Sequence, residues 1–151
     1  MVFFVLSLQT HPKVGISNRV VAKVIDLLIV FFLAVTFPYP VGPLLGFLYS
    51  LLGDGLNFGP FRGQSIGKKV MKLQVVHIVT QKPANLKDSA LRNTPVGVAT
   101  FFGIIPIWGW IILALIGMPL MAMEIYLMIS VETGHRLGDV MGDTEVIQLP
   151  S

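Results

Sequence analysis

RVVAKVIDLLIVFFLAVTF, residues 19–37, is an apolar run of membrane-spanning length with one carboxylate, Asp26, about two turns inside it. An acid is costly in hydrocarbon, so its presence there marks a functional group or a pairing. Ser17 or Asn18 is placed to cap the helix, and Pro38 and Pro40 end it. After that turn residues 41–56 are again apolar, with Gly46 inside and Gly53-Asp54-Gly55 near the end. They predict a second helix that returns to the side where the first began.

Further along, residues 96–131 are almost continuously hydrophobic. As one helix they would measure roughly 54 Å, against a hydrocarbon core of roughly 30 Å. A break is therefore expected at Ile105-Pro106-Ile107-Trp108-Gly109-Trp110, where proline, glycine and two tryptophans suit a turn at the membrane interface. The expected fold is an all-α integral membrane protein, one domain over residues 1–151, with four transmembrane helices at about 19–37, 41–56, 93–107 and 110–131. A cytoplasmic loop, 57–92, and a cytoplasmic tail, 132–151, complete it.

The loop has a different character. Seven of the eleven Lys/Arg lie between residues 57 and 93, and the hydrophobic runs there are short. Ser65 is placed to cap a short interfacial helix whose Ile66, Val70, Met71 and Leu73 share one side, while Lys68, Lys69 and Lys72 project from the other toward acidic headgroups. LQVVHIV, residues 73–79, has strand composition, and residues 145–149 form a second strand-like run that would pair with it as a small β element. Asn85 or Asp88 would start a short helix leading to Arg92. The first thirteen residues, MVFFVLSLQTHPK, begin apolar but are interrupted by Gln9, His11 and Pro12, and are read as a short surface segment.

Composition agrees with a membrane setting: 54% of residues are hydrophobic, 13% are charged, and the mean hydropathy is +0.77. With no cysteine, disulfides, thiolate metal sites and thiol redox chemistry are excluded. All eleven basic residues fall on one side of the four-span arrangement, which places both termini inside a prokaryotic cytoplasmic (inner) membrane. That bias accounts for the net charge of +3 without invoking nucleic acid.

Antiparallel spans one and four bring Asp26 and Glu124 to similar depth, each on the order of 10 Å from the cytoplasmic end at 1.5 Å per residue. Asp54 would sit just above them, with Arg19, Lys23 and Arg92 at the mouth. A carboxylate whose pKa is raised by burial and like-charged neighbours can exchange a proton for a cation, so this cluster is the candidate transport site. The competing reading has the same groups as structural ties, Asp26 to Lys23 or Arg19 and Glu124 to Arg92. Gly63-Gln64-Ser65-Ile66-Gly67 fits a nucleophile elbow, but no strand precedes it and no triad surrounds it. With Lys68 the stretch imitates a phosphate loop, one residue short and with Lys69 where Ser or Thr is needed. His11, His77 and His135 have no ligand spacing, so neither a metal nor another cofactor is expected. Met118, Met121, Met123 and Met128 read as packing residues.

These pieces together resemble the RDD family of prokaryotic membrane proteins, named for one arginine and two aspartates. Arg19 to Asp26, as R-x-x-A-x-x-I-D, is similar to the family's first signature, and GQSIGKKVMKLQVV, residues 63–76, resembles its central segment. Arg92-Asn93 resembles the element that opens the next span. RLGDVMGDTEV, residues 136–146, resembles the closing block and places the second signature aspartate at Asp139. Gly142-Asp143 departs from the usual pattern and leaves Asp143 without an assigned role.

The resemblance implies a transport role, including cation/proton exchange, and adds Arg19 and Asp139 to the candidates. The expectation is thus a non-enzymatic transporter acting on protons and monovalent cations, set in the lipid bilayer as a homo-oligomer. A dimer would pack through Gly46, Gly97 and Gly103. The alternative is a non-transporting accessory or assembly protein that binds a partner protein or anionic lipid.

Overall fold

A computed structural model describes residues 14–102, 104–130 and 135–150. Helix α1 (Ile16–Thr36) turns at the prolines into α2 (Val41–Leu52), which ends in a 3-10 turn, Gly53–Gly55. A short helix α3 (Ile66–Val70), strand β1 (Leu73–His77) and the long helix α4 (Leu86–Phe102) follow. Helix α5 (Trp108–Ile112) passes through a π-helical stretch, Leu113–Gly117, into α6 (Met118–Ser130); helix α7 (Leu137–Met141) and strand β2 (Thr144–Gln148) close the chain. The expected surface segment with His11, the end of the expected fourth helix at residue 131, Gly103 and the side chain of Met128 lie outside the described residues.

The four expected transmembrane helices are not present: no helix among the described residues is long and apolar enough to cross a membrane. At 1.5 Å per residue, α1 reaches about 30 Å, but it carries Arg19 and Lys23 in its first half and Asp26 at its middle. Helices α2 and α6 are 12 and 13 residues long. The expected third span is the later part of α4, which begins at Leu86 and includes Lys87, Asp88 and Arg92. The short helix and the span anticipated as separate elements are one, because Asn85 caps it: its side chain accepts from the amides of Lys87 and Asp88, while Asp88 accepts from that of Asn85.

Other local expectations meet different outcomes. Neither Ser17 nor Asn18 caps α1, which starts one turn earlier with Gly15 at the N-cap and no side-chain bond. Ser65 does cap α3, accepting from the amide of Lys68. Strands β1 and β2 pair antiparallel, from Leu73 opposite Gln148 to His77 opposite Thr144.

Packing is close where glycine permits it. A Cβ on Gly42 would lie within 2.8 Å of the Leu33 and Ala34 carbonyl oxygens, and one on Gly46 would lie 3.0 Å from Val30, so α2 beds directly on α1. Gly97, in turn, faces Leu51 of α2. The two described glycines anticipated at a dimer contact are therefore occupied within the chain.

The interior is unusual in kind. Among the described residues twelve polar or charged side chains are buried, against six hydrophobic ones, while Phe31, Phe32, Val35, Ile107, Trp108 and Leu115 are all more than 60% exposed. Apolar surface on this scale seeks a nonaqueous or protein neighbour. Beside the close α1–α2 packing and a small cluster of Val14, Ala22 and Leu73, the buried side chains that join the elements are mostly polar.

Candidate functional site: a buried charge lattice

Asp139, fully buried on α7, is the centre. Arg19 of α1 reaches its Oδ2 at 2.6 Å, Arg92 of α4 its Oδ1 at 3.0 Å, and Arg136 its Oδ1 at 3.3 Å. The backbone amide of Arg136 also donates to Oδ2 at 3.2 Å, closing the N-terminus of the five-residue helix on its own acid. This approach depends on Gly138, where a Cβ would lie 1.9 Å from the Arg92 carbonyl oxygen.

Asp54, in the 3-10 turn, forms the second node. It pairs with Lys68 of α3, and Arg92 Nε lies 3.1 Å from its Oδ2, close enough to pair but misaligned for a hydrogen bond. Arg92 thus bridges both aspartates, and its Nη1 donates to Thr144 of β2 at 3.3 Å. Arg136 extends the lattice to Glu124 Oε2 at 3.3 Å and to the Asn93 side-chain oxygen at 3.4 Å. The other oxygen of Glu124, Oε1, is buried without a hydrogen-bond partner.

Asp26 stands apart from these ion pairs. Tyr49 Oη donates to its Oδ1 at 2.6 Å, the Gly67 amide to the same oxygen at 2.9 Å, and Ser65 Oγ to its Oδ2 at 2.7 Å. Gly67 is needed because a Cβ there would lie 2.1 Å from the Ala22 carbonyl oxygen, so α3 rests its backbone on α1. The motif that imitated a nucleophile elbow therefore serves as a clamp on Asp26. Gln64 steadies it by donating to the Leu73 carbonyl at 2.7 Å.

Charges decide the ionisation of the two central acids. Burial by itself raises the Asp139 carboxyl, but Arg92, Arg136 and Arg19 together hold it well below the usual carboxylate range. At Asp54 burial is likewise outweighed, by Lys68 and Arg92, and its pKa is also lowered. Lys68 is pushed down by burial despite Asp54.

Space around the acids is divided. Asp26 and Asp54 border a crevice of only about 10 Å³, room for no more than one water. Glu124 instead lines a cavity of about 230 Å³, together with Arg19, Lys23, Lys68, Arg92 and Arg136. Its opposite walls are apolar: Val20, Val24 and Leu27 of α1, Leu73, and Met121 and Ile125 of α6. Lys23 has no ion-pair partner among the described residues. Burial, Arg136 and Lys68 lower its pKa to about 8, with Asp54 and Asp26 opposing.

The three acids anticipated as one cluster thus split between a closed crevice and a cavity. Glu124 pairs with Arg136 rather than Arg92, and Asp26 is held by hydroxyls and an amide rather than by Lys23 or Arg19. The anticipated basic face of α3 is turned round. Lys68 points inward to Asp54, and Lys69 lies on the Pro60 carbonyl and over the Phe61 ring. Ile66 and Val70 are the exposed residues, with Lys72 past the helix end at positive φ. Asp143 is exposed in the turn before β2, also at positive φ.

The residues missed are Tyr49, Asn93 and Arg136. Asn93 and Arg136 both lay in segments that resemble the family's, and Arg136 also has i,i+3 spacing to Asp139, whereas Tyr49 carried no signal.

Fold and site define a small helical protein whose elements are tied by a buried lattice of arginines and acids. The chain belongs to the RDD family, whose model matches residues 44–143, and that membership marks it as a membrane protein. The match begins within α2, so Arg19 and Asp26 join the matched region through their contacts. Neither a curated protein nor a solved structure matches the chain.

Proposed function

We propose that this protein is a non-transporting membrane accessory protein, in which the signature charges are fixed ties that shape an anion-accepting cavity. The observation that carries this reading is the closure of the acids. Asp139 and Asp54 are each held by more than one cation, and Asp26 accepts three hydrogen bonds beside almost no free space. A proton-exchanging carboxylate needs a raised pKa and access to water, and these two aspartates have lowered ones.

Cation/proton exchange is the second reading. It is favoured by one observation, the unpartnered Oε1 of Glu124 beside the cavity. The deciding experiment is cation and pH flux in proteoliposomes holding the folded wild type and Glu124→Gln. The accessory reading expects no flux above that of empty vesicles. Flux in the wild type that Glu124→Gln abolishes would overturn it.

A further inference from the structure

The cavity between α1 and α6 has the make-up of a ligand site, and it is used by none of the ties described above. Five basic side chains line it. Among the described residues the acids in or beside this lattice number four, Asp26, Asp54, Glu124 and Asp139, one fewer than the basic side chains. Lys23 is the one cation of the five with no ion pair among the described residues, as Asp26 is the one such acid of the four, and of these two only Lys23 lines the cavity.

A second unsatisfied group belongs to Glu124, which also lines the cavity. Glu124 Oε1 is buried and accepts no hydrogen bond, so it calls for a donor rather than another acceptor. The remaining walls are apolar and continue outward. Val24 and Leu27 on α1 and Ile125 on α6 line the cavity yet are each more than 40% exposed.

We propose that this cavity binds the headgroup of an anionic phospholipid, its singly charged phosphodiester on Lys23 and a headgroup hydroxyl donating to the Glu124 carboxylate, with the acyl chains leaving between α1 and α6. The proposal deepens the accessory reading and rests on it. Charge complementarity sets the class: one excess cation matches one phosphodiester, and a choline headgroup would add a sixth positive charge to the five. Size sets the mode. Sites that enclose a drug-sized ligand measure about 300–1,000 Å³, and this cavity of about 230 Å³ fits a headgroup whose tails lie outside. Apolar walls separate a lipid from a free anion, which gains nothing from Val24, Leu27 or Ile125.

The test is calorimetric titration of the full chain in a neutral detergent with three probes: dihexanoyl phosphatidylglycerol, dihexanoyl phosphatidylcholine and inorganic phosphate. The glycerol lipid should bind at least tenfold more tightly than either of the others. Lys23→Met should weaken it at least tenfold, whereas Lys82→Gln, at an exposed lysine, should leave it unchanged. Lys23→Met orphans no acid; Val24→Glu, at a half-exposed wall position, supplies an independent variant with the same expected loss.

Equal binding of the two lipids, or unchanged binding by both cavity variants, would overturn the proposal. Phosphate binding as tight as the glycerol lipid would overturn the lipid assignment in favour of a free anion. Flux in proteoliposomes made from the same purified protein would instead overturn the accessory reading, so the two failures are distinguishable.

Discussion

Asp139→Asn is the substitution that bears hardest on the lattice. It keeps the size of the side chain and removes its charge from the midst of Arg19, Arg92 and Arg136, whose nearest contacts lie at 2.6, 3.0 and 3.3 Å. The acid is 0% exposed and the Arg92 side chain 1%, so water cannot take over the compensation. Removing one partner of a buried pair costs about 3–5 kcal/mol, because the remaining charge stays buried. Against a total stability of about 5–15 kcal/mol, that is a large fraction. For a chain of this size it corresponds to a fall in Tm of roughly 6–20 °C. Thermal and denaturant unfolding followed by circular dichroism would measure it, with Asp143→Asn as an exposed control expected within about 0.5 kcal/mol of wild type. A loss below about 1 kcal/mol for Asp139→Asn would refute the idea that this carboxylate holds the elements together.

Tyr49→Phe removes a hydroxyl that donates to Asp26 and accepts from the Ile66 amide. Bonds to charged groups contribute about 1.5–3 kcal/mol, and a loss of that order is expected in the same unfolding assay; a change under about 0.5 kcal/mol would count against the clamp. Gly138→Ala places a methyl on the Arg92 carbonyl oxygen and should cost about 1–3 kcal/mol through forced separation of α4 and α7. A neutral result would mean that α7 does not sit as closely as described. Acid sensitivity follows from the lowered pKa of Asp54 and Asp139. Their stabilisation is fully present above the unfolded carboxylate range near pH 4 and is lost as pH falls below it. Urea midpoints should therefore be flat from pH 8 to 5 and drop steeply below pH 4, and a decline beginning near pH 6 would contradict the assignment.

Residue pattern and structure agree best where a single local rule decides. The Ser65 cap and the pairing of β1 with β2 were both legible, since each rests on short-range chemistry and alternation. The partners of Asp26 were not. Helical spacing pointed to Lys23 and Arg19 on its own helix, whereas the groups that hold it come from α2 and α3, 23 to 41 residues away. The orientation of α3 was misread for a related reason. Its amphipathic pattern placed the lysines outward, but glycine at 67 lets the helix lie flat on α1, and Asp54 draws Lys68 inward.

Hydropathy also overstated the helices as spans. It counted length and apolar content across segments that the fold divides, at the 3-10 turn after α2 and at the π-helical stretch before α6, and it discounted three charges within α1. The family resemblance singled out Arg19 and Asp139, of which Asp139 lies within the residues that the family model matches. Their pairing across 120 residues is a property of the fold alone.

The central claim is that Asp54 and Asp139 are ionised ties rather than exchangeable proton sites. The most direct measurement is a carboxyl 13C NMR titration of Asp54 and Asp139 in the folded full-length protein. Both resonances should stay at ionised shifts from pH 8 down to pH 4. A titration midpoint at or above pH 6 for either aspartate would contradict the account.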